Sequence, residues 1–210
     1  MILIIDYGMG NLRSAQKALE KVGLDAIISE NPSDLIKADA AVLPGVGAFR
    51  DCYEGLKRKG FVEPVKEFVQ TGKPLLGICI GLQLLFEYGE EGGGSEGLGI
   101  FKGGVVRFPP TETTGLKVPH MGWNFVQPVK DKTNPLLPNN SGGYAYFVHS
   151  YYPKPEDKSI ILATCEYGIT FPCMVGDKAV LGVQFHPEKS QQFGLNILKN
   201  FGEFIRRNKS

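Results

Sequence analysis

The first half of the chain alternates short apolar runs with stretches in which apolar residues recur at helical spacing. The runs are continuous and four or five residues long, which is typical of buried parallel strands. Between them, apolar residues recur every three or four positions, which predicts amphipathic helices. The predicted strands are residues 2–5, 24–28, 40–43 and 75–78, and the predicted helices are residues 12–22, 51–59 and 61–70. This order indicates a mostly parallel sheet with helices on both faces.

The second half has shorter segments that are broken by Gly, Pro and Asn. Their alternation of apolar and polar positions predicts antiparallel strands at residues 105–108, 123–127, 144–148, 160–165 and 180–185. A last helix carries apolar residues from Phe193 to Ile205 on one face. The glycine-rich residues 89–104 predict a mobile surface loop. Because no second core is visible, we expect one α/β domain over residues 1–210.

Composition excludes several classes of protein. The chain has 210 residues, of which 42% are hydrophobic and 21% charged, and its net charge is +1. Without a run of Lys or Arg, neither nucleic acid nor a membrane surface is an expected partner. The apolar start reaches only to Asp6, so it predicts a first strand and not a signal peptide.

The cysteines and histidines are too few and too scattered to predict a metal site. Four cysteines form no C-x-x-C pair, and the chain has only three histidines. We therefore expect no metal and no cofactor. Unpaired cysteines in a domain of this size indicate reduced thiols and a cytoplasmic protein. His120 and His149 are interpreted as packing or interface histidines.

One cysteine lies in a pattern that is typical of a catalytic nucleophile. Gly77-Ile78-Cys79-Ile80-Gly81 follows an apolar strand and precedes a predicted helical run over residues 82–86, which is the G-x-S-x-G layout with cysteine in place of serine. The turn places Cys79 at a helix start, where free N–H groups stabilise a thiolate. Taken alone, the pattern fits a buried structural cysteine between closely packed glycines almost equally well.

Two further stretches favour the catalytic interpretation. In Gln184-Phe185-His186-Pro187-Glu188 a strand leads to a histidine, and a carboxylate two residues later can orient it as a base. In Pro44-Gly45-Val46-Gly47 a glycine-rich turn ends the third strand, where open parallel sheets bind ligands. Each stretch also has a structural interpretation, as a strand end or a simple connection.

Together these stretches resemble the class I (triad) glutamine amidotransferases, in which the same three patterns occur in the same order along the chain as here. The resemblance extends to Asp6-Tyr7-Gly8-Met9-Gly10-Asn11, Pro119-His120-Met121-Gly122-Trp123-Asn124 and Tyr146-Phe147-Val148-His149-Ser150-Tyr151, which are similar to the glutaminase subunits of imidazole glycerol phosphate synthase. It covers essentially the whole chain. It implies a flavodoxin-like fold and the hydrolysis of glutamine to glutamate and ammonia.

The resemblance also implies a role for individual residues. Cys79 matches the nucleophile, His186 the base and Glu188 the residue that orients the base. The other matched positions are the backbone oxyanion donors Ile80, Val46 and Gly47, the substrate-binding residues Gly47, Gln83, Glu91, Ser150 and Tyr151, and the partner-interface residues Asn11, Trp123 and Lys189.

The implied partner is a (β/α)8-barrel cyclase subunit that forms a heterodimer with the glutaminase. It would combine the ammonia with a phosphoribulosyl intermediate, giving imidazole glycerol phosphate and aminoimidazole carboxamide ribotide in histidine biosynthesis. Three alternatives remain at this stage. They are a glutaminase of another pathway, a catalytically inactive regulatory subunit of the same fold, and a cysteine hydrolase that acts on a different amide.

Overall fold

The computed structural model describes residues 1–208. Thirteen strands lie in this range: β1 Ile2–Ile5, β2 Ala26–Ser29, β3 Ala40–Leu43, β4 Leu75–Ile78, β5 Phe86–Gly89, β6 Ser95–Glu96, β7 Phe101–Arg107, β8 His120–Pro128, β9 Gly143–His149, β10 Tyr151–Pro155, β11 Ile161–Glu166, β12 Thr170–Asp177 and β13 Val180–Val183. The α-helices of the same range are α1 Leu12–Lys21, α2 Phe49–Arg58, α3 Val62–Gln70, α4 Ile80–Gln83, α5 Thr111–Thr114 and α6 Gln191–Arg207.

Nine of the strands form one central sheet. Their order is β2-β1-β3-β4-β13-β12-β11-β8-β9. The pairs from β2 to β13 are parallel and those from β13 to β9 are antiparallel. The predicted change from a parallel first half to an antiparallel second half is therefore confirmed, except at β7 and β13. The strand predicted at residues 105–108 belongs to β7, which is antiparallel to β10 but parallel to β5. The sequence also indicated an antiparallel strand at residues 180–185, but β13 is antiparallel only to β12 and parallel to β4.

The core lies along the parallel strands. Every residue of β1, β3, β4 and β13 is buried, which explains why these strands appear in the sequence as continuous apolar runs. Helix α6 buries Ile197, Leu198, Phe201 and Ile205 and contacts α1. Full burial of one such side chain contributes roughly 1.5–3 kcal/mol, so this helix is firmly held on the sheet.

The prediction of a loop at residues 89–104 is wrong in part, because β6 and the start of β7 lie within this range. These two strands join β5 and β10 in a second, four-stranded sheet of order β10-β7-β5-β6. Its glycines allow close packing, because a Cβ on Gly89 would lie 2.7 Å from the ring of Phe49 and one on Gly104 would overlap the ring of Tyr88. The predicted helical run 82–86 is also wrong in part, since α4 ends at Gln83 and Phe86 begins β5.

Candidate active site

Cys79 lies in a sharp turn between β4 and α4. Its backbone adopts φ 55° and ψ −110°, a conformation that costs on the order of 1–3 kcal/mol for a residue with a side chain. A Cβ on Gly77 would lie 2.7 Å from the Gly81 carbonyl oxygen, and one on Gly81 would overlap the Leu43 carbonyl. Both positions therefore require glycine, as the spacing of the pattern predicts.

The turn after β3 packs directly against the turn that holds Cys79. A Cβ on Gly45 would lie 2.8 Å from Cβ of Ile80 and 2.9 Å from the backbone nitrogen of Gly81. Since α4 begins at Ile80, the first N–H groups of this helix have no partner within the helix. Gly47 has φ +96°, and the Val46 carbonyl accepts a hydrogen bond from Cys52 Sγ at 3.3 Å. The backbone groups that could bind an oxyanion are thus adjacent to Cys79.

Strand β13 carries the histidine to the cysteine. Because Val183 pairs with Ile78 and the Cys79 N–H donates to the Val183 carbonyl at 2.8 Å, the segment after β13 runs beside the cysteine turn. His186 Nδ1 lies 2.8 Å from Glu188 Oε1, and the two side chains are only 3% and 4% exposed. A donor at Nδ1 leaves Nε2 as the free position of the ring, and Nε2 has no hydrogen-bond partner.

The electrostatic surroundings of His186 favour its protonated form. Burial lowers the pKa of its imidazole, but interactions with the Cys79 sulfur and the Glu188 carboxylate outweigh burial and raise the pKa to about 10. An imidazolium of this kind is stabilised when a thiolate and a carboxylate lie on its two sides. The geometry therefore suits a base that takes the proton of the thiol.

A cavity of about 400 Å³ opens above Cys79. It brings together all the residues predicted for the oxyanion and substrate sites: Val46, Gly47, Ile80, Gln83, Glu91, Ser150 and Tyr151. Cys79, His186 and Lys189 also line it. The carboxylate of Glu91 is already engaged, since its Oε2 accepts the N–H of Phe49 at 2.6 Å.

Gln83 is held in one orientation at the floor of the cavity. Its Nε2 donates to the Tyr151 carbonyl at 3.0 Å and to Gln184 Oε1 at 3.1 Å, while its Oε1 is buried without a partner. Gln184 is fully buried, and its Nε2 lies 3.8 Å from Cys79 Sγ. The sequence analysis missed Gln184, although an amide within the apolar run from Val180 to Phe185 is a signal that could have found it.

The three residues predicted at a partner interface lie on different segments of the chain, although Trp123 and Lys189 both adjoin the ring of Tyr146. Asn11 adjoins a small cleft behind His186 and Glu188 and does not line the main cavity. Trp123 is 48% exposed on β8, and Lys189 Nζ lies 6.0 Å from the ring centre of Tyr146. Beside Trp123 the exposed side chains of β8 and β9 are also apolar or aromatic: Met121, Phe125 and Tyr144.

Two negative findings concern the part of the chain that the structure describes. Residues 1–208 contain no group of three or more His, Cys, Asp or Glu side chains placed to hold a metal ion. No helix in this range is long and apolar enough to cross a membrane.

The fold and the site together define a class of protein. The family described as "Glutamine amidotransferase class-I" matches residues 3–204. The chain therefore belongs to the class-I glutamine amidotransferases, as the sequence analysis inferred. Solved structures agree at the level of the fold. The match to a crystal structure of a glutamine amidotransferase has TM-score 0.73 and 19% identity and covers 96% of this chain and 98% of the other. The match to the structure of PurLQS from Thermotoga maritima has TM-score 0.71 and 16% identity and covers 100% of this chain and 98% of the other.

Closer relatives place the chain within this class. It is 55% identical to the imidazole glycerol phosphate synthase subunit HisH of Syntrophotalea carbinolica, over 97% of this chain and all of that one. It is 50% identical to the HisH subunits of Geobacter sulfurreducens and Bacillus licheniformis, over 96% and 100% of this chain and 98% and 99% of theirs. Within the class, the chain thus groups with the HisH subunits, and the predicted subfamily is confirmed.

Proposed function

We propose that Cys79 hydrolyses the side-chain amide of glutamine with His186 as its base and Glu188 as the residue that orients His186. The observation that carries this proposal is the buried His186–Glu188 pair, 2.8 Å long, which leaves Nε2 of His186 without a partner on a residue that lines the same cavity as Cys79. A hydrogen bond from Nδ1 to the carboxylate fixes the tautomer that can accept the thiol proton.

The reaction then follows the chemistry of a cysteine triad. The Cys79 sulfur attacks the amide carbon, and the proton of the thiol passes to His186 Nε2. Collapse of the tetrahedral intermediate breaks the C–N bond, and His186 returns the proton to the nitrogen, which leaves as ammonia. Water, deprotonated by His186, attacks the thioester, and glutamate is released with the free thiol. The backbone N–H groups of Ile80 and of the Val46–Gly47 turn stabilise the oxyanion of both tetrahedral intermediates.

The cavity also offers groups for the other end of the substrate. The unpaired, buried Oε1 of Gln83 is an acceptor, and an acceptor suits the α-ammonium group of glutamine. Ser150 and Tyr151 lie on the wall of the same cavity and bind the α-carboxylate end. Glu91 holds the start of α2 through its bond to Phe49 and contributes to substrate binding through its free oxygen.

The ammonia is used by a second subunit. The relatives are named as subunits of imidazole glycerol phosphate synthase, which supports a heterodimer with the (β/α)8-barrel cyclase of histidine biosynthesis. The exposed side chains of Met121, Trp123 and Phe125 lie along β8, where Met121 pairs with Val148 of the cavity wall, and this supports docking on this side of the chain. Lys189 lines the cavity, and Asn11 lies at the small cleft beside His186 and Glu188. One domain over the whole chain, with four free buried cysteines, fits a cytoplasmic enzyme.

The proposal is tested with Cys79→Ala in the complex with the cyclase subunit. Glutamine-dependent synthesis should be lost, because the thioester cannot form, while synthesis from ammonium salts should continue. Cys165→Ala is a matched control, since it also removes a buried thiol but from a residue that does not line the cavity. Glutamine-dependent activity that persists in Cys79→Ala would overturn the assignment. Loss of both activities would show that the cysteine serves the complex and not glutamine hydrolysis.

A further inference from the structure

A chain of hydrogen bonds runs through two buried histidines to the wall of the cavity. His120 on β8 lies directly opposite His149 on β9, and His120 Nδ1 is 3.0 Å from His149 Nε2. His149 Nδ1 is 2.8 Å from the Tyr151 carbonyl, and at the other end Asn124 Nδ2 is 3.2 Å from His120 Nε2. All four ring nitrogens therefore have a partner.

The direction of every bond in this chain is determined by its two ends. The Tyr151 carbonyl can only accept, so His149 donates from Nδ1, and the Asn124 amide nitrogen can only donate, so His120 accepts at Nε2. An imidazole keeps at least one N–H, so His120 donates from Nδ1 and His149 accepts at Nε2. This order requires both rings to be neutral. Burial lowers the pKa of His120 to about 4 and that of His149 to about 3, which agrees with neutral rings.

The same carbonyl also fixes the amide of Gln83. Tyr151 O accepts from His149 Nδ1 and from Gln83 Nε2, so both of its lone pairs are used. Because a carbonyl can only accept, it is the NH2 group of the Gln83 amide that faces Tyr151 O. The amide oxygen, Oε1, is therefore left without a partner. Gln184 Oε1 accepts from the same Nε2 at 3.1 Å, so the Tyr151 carbonyl and the Gln184 amide together hold Gln83 in this orientation.

We propose that His120 and His149 are positioning residues that hold the Tyr151 carbonyl and thereby, together with Gln184, keep the oxygen of the Gln83 amide available to the α-ammonium group of glutamine. The inference deepens the proposed function and rests on it. The two histidines influence which ligand binds, because they help to determine whether the Gln83 amide offers an acceptor or a donor. They take no part in the chemistry at Cys79. Their effect is therefore on the preference for ligands that carry an α-ammonium group.

Two substitutions of His120 separate the hydrogen bond from the packing of the ring. The ring is stacked between Tyr167 and Phe147, with centroid distances of 4.1 and 4.8 Å. His120→Phe keeps an aromatic ring in this stack and removes the donor. His120→Asn removes the ring and keeps an amide donor near the position of Nδ1. Tyr167→Phe is the control, because it keeps the stack and removes only the hydroxyl that bonds to the Lys117 carbonyl.

The measurement is the affinity for glutamine and for glutaramate, which is glutamine without its α-amino group. Both are titrated into the full chain with its cyclase subunit, in a Cys79→Ala background that prevents turnover. The preference for glutamine should fall on the order of tenfold in His120→Phe, the value of one hydrogen bond to a charged group. It should be retained in His120→Asn and Tyr167→Phe. The affinity for glutaramate should stay unchanged throughout, which also shows that the variants are folded.

The outcomes distinguish the inference from the function on which it rests. An unchanged preference in His120→Phe would overturn the inference, and so would an equal loss in His120→Asn, because the stack would then be the cause. In both cases glutamine would still bind and the proposed function would stand. If the parent protein bound neither ligand, the glutamine site itself would be refuted, and the inference with it.

Discussion

His120 and His149 link the stability of the fold to pH, because both are buried as neutral imidazoles. Burial lowers the pKa of His120 to about 4. Burial and the nearby histidines lower that of His149 to about 3, against the opposing effect of its bond to the Tyr151 carbonyl. An unfolded histidine titrates near pH 6.5. Between pH 6.5 and 4 the unfolded chain therefore binds protons that the folded chain does not, and the free energy of unfolding falls as the pH falls.

The size of the effect follows from these values. From pH 7 to pH 5 each of the two histidines lowers the free energy of unfolding by about 2 kcal/mol. His186 acts in the opposite direction, because its pKa is raised to about 10: its contribution to stability is complete below pH 6.5 and declines as the pH rises from there to about 10. Over the same interval it adds about 1 kcal/mol, so the net loss is about 3 kcal/mol. That is a large part of the 5–15 kcal/mol typical of a folded domain.

The assay is equilibrium unfolding in urea at pH 7, 6 and 5 at one ionic strength. The His120→Phe variant is measured in parallel, and its loss between pH 7 and pH 5 should be about 2 kcal/mol smaller than that of the parent chain. An equal pH dependence in the two proteins would refute the reasoning. So would a magnetic-resonance titration in which either ring of the folded chain takes up a proton above pH 6.

Two further predictions concern catalysis. His186→Asn should lower the rate of glutamine hydrolysis by roughly two to four orders of magnitude, the usual value of a general base. Glu188→Gln should lower the rate much less, because an amide oxygen can still accept a hydrogen bond from Nδ1 of His186. Equal losses in steady-state assays would show that Glu188 does more than orient the ring. The chain alone should hydrolyse glutamine far more slowly than the complex with the cyclase and its ligand. The glycines on both sides of Val46 let the backbone leave the one orientation that completes the oxyanion site. One missing hydrogen-bond donor at this site raises the activation free energy by about 2.7–4 kcal/mol. Full turnover by the isolated chain would contradict this gating.

The sequence predicted best those parts of the fold in which local pattern and burial agree. The bounds of β1, β3 and β4 were predicted to the residue, because strands buried on both faces are continuous apolar runs. The turn around Cys79 was predicted because its geometry needs glycine at two fixed positions. Glycine was misleading at Gly89 and Gly104, where it allows close packing against the rings of Phe49 and Tyr88.

What the sequence could not predict depends on which strands become neighbours. Nothing local shows that β13 pairs in parallel with β4, yet this pairing places His186 beside Cys79. The bond between His120 and His149 likewise depends on the register of β8 against β9. Two histidines that were interpreted as packing residues gain a connection to the cavity only through that register.

The late position of β13 in the chain has a consequence for the synthesis of the protein on the ribosome. Cys79 leaves the exit tunnel early, whereas Gln184 and the segment that follows it come 105 residues or more later. At about 5–20 residues per second, the thiol waits roughly 5–20 seconds for its base. In the proposed mechanism the nascent chain has no base beside its nucleophile during this time and should release no ammonia. A chain that ends before His186 is therefore expected to be unable to hydrolyse glutamine.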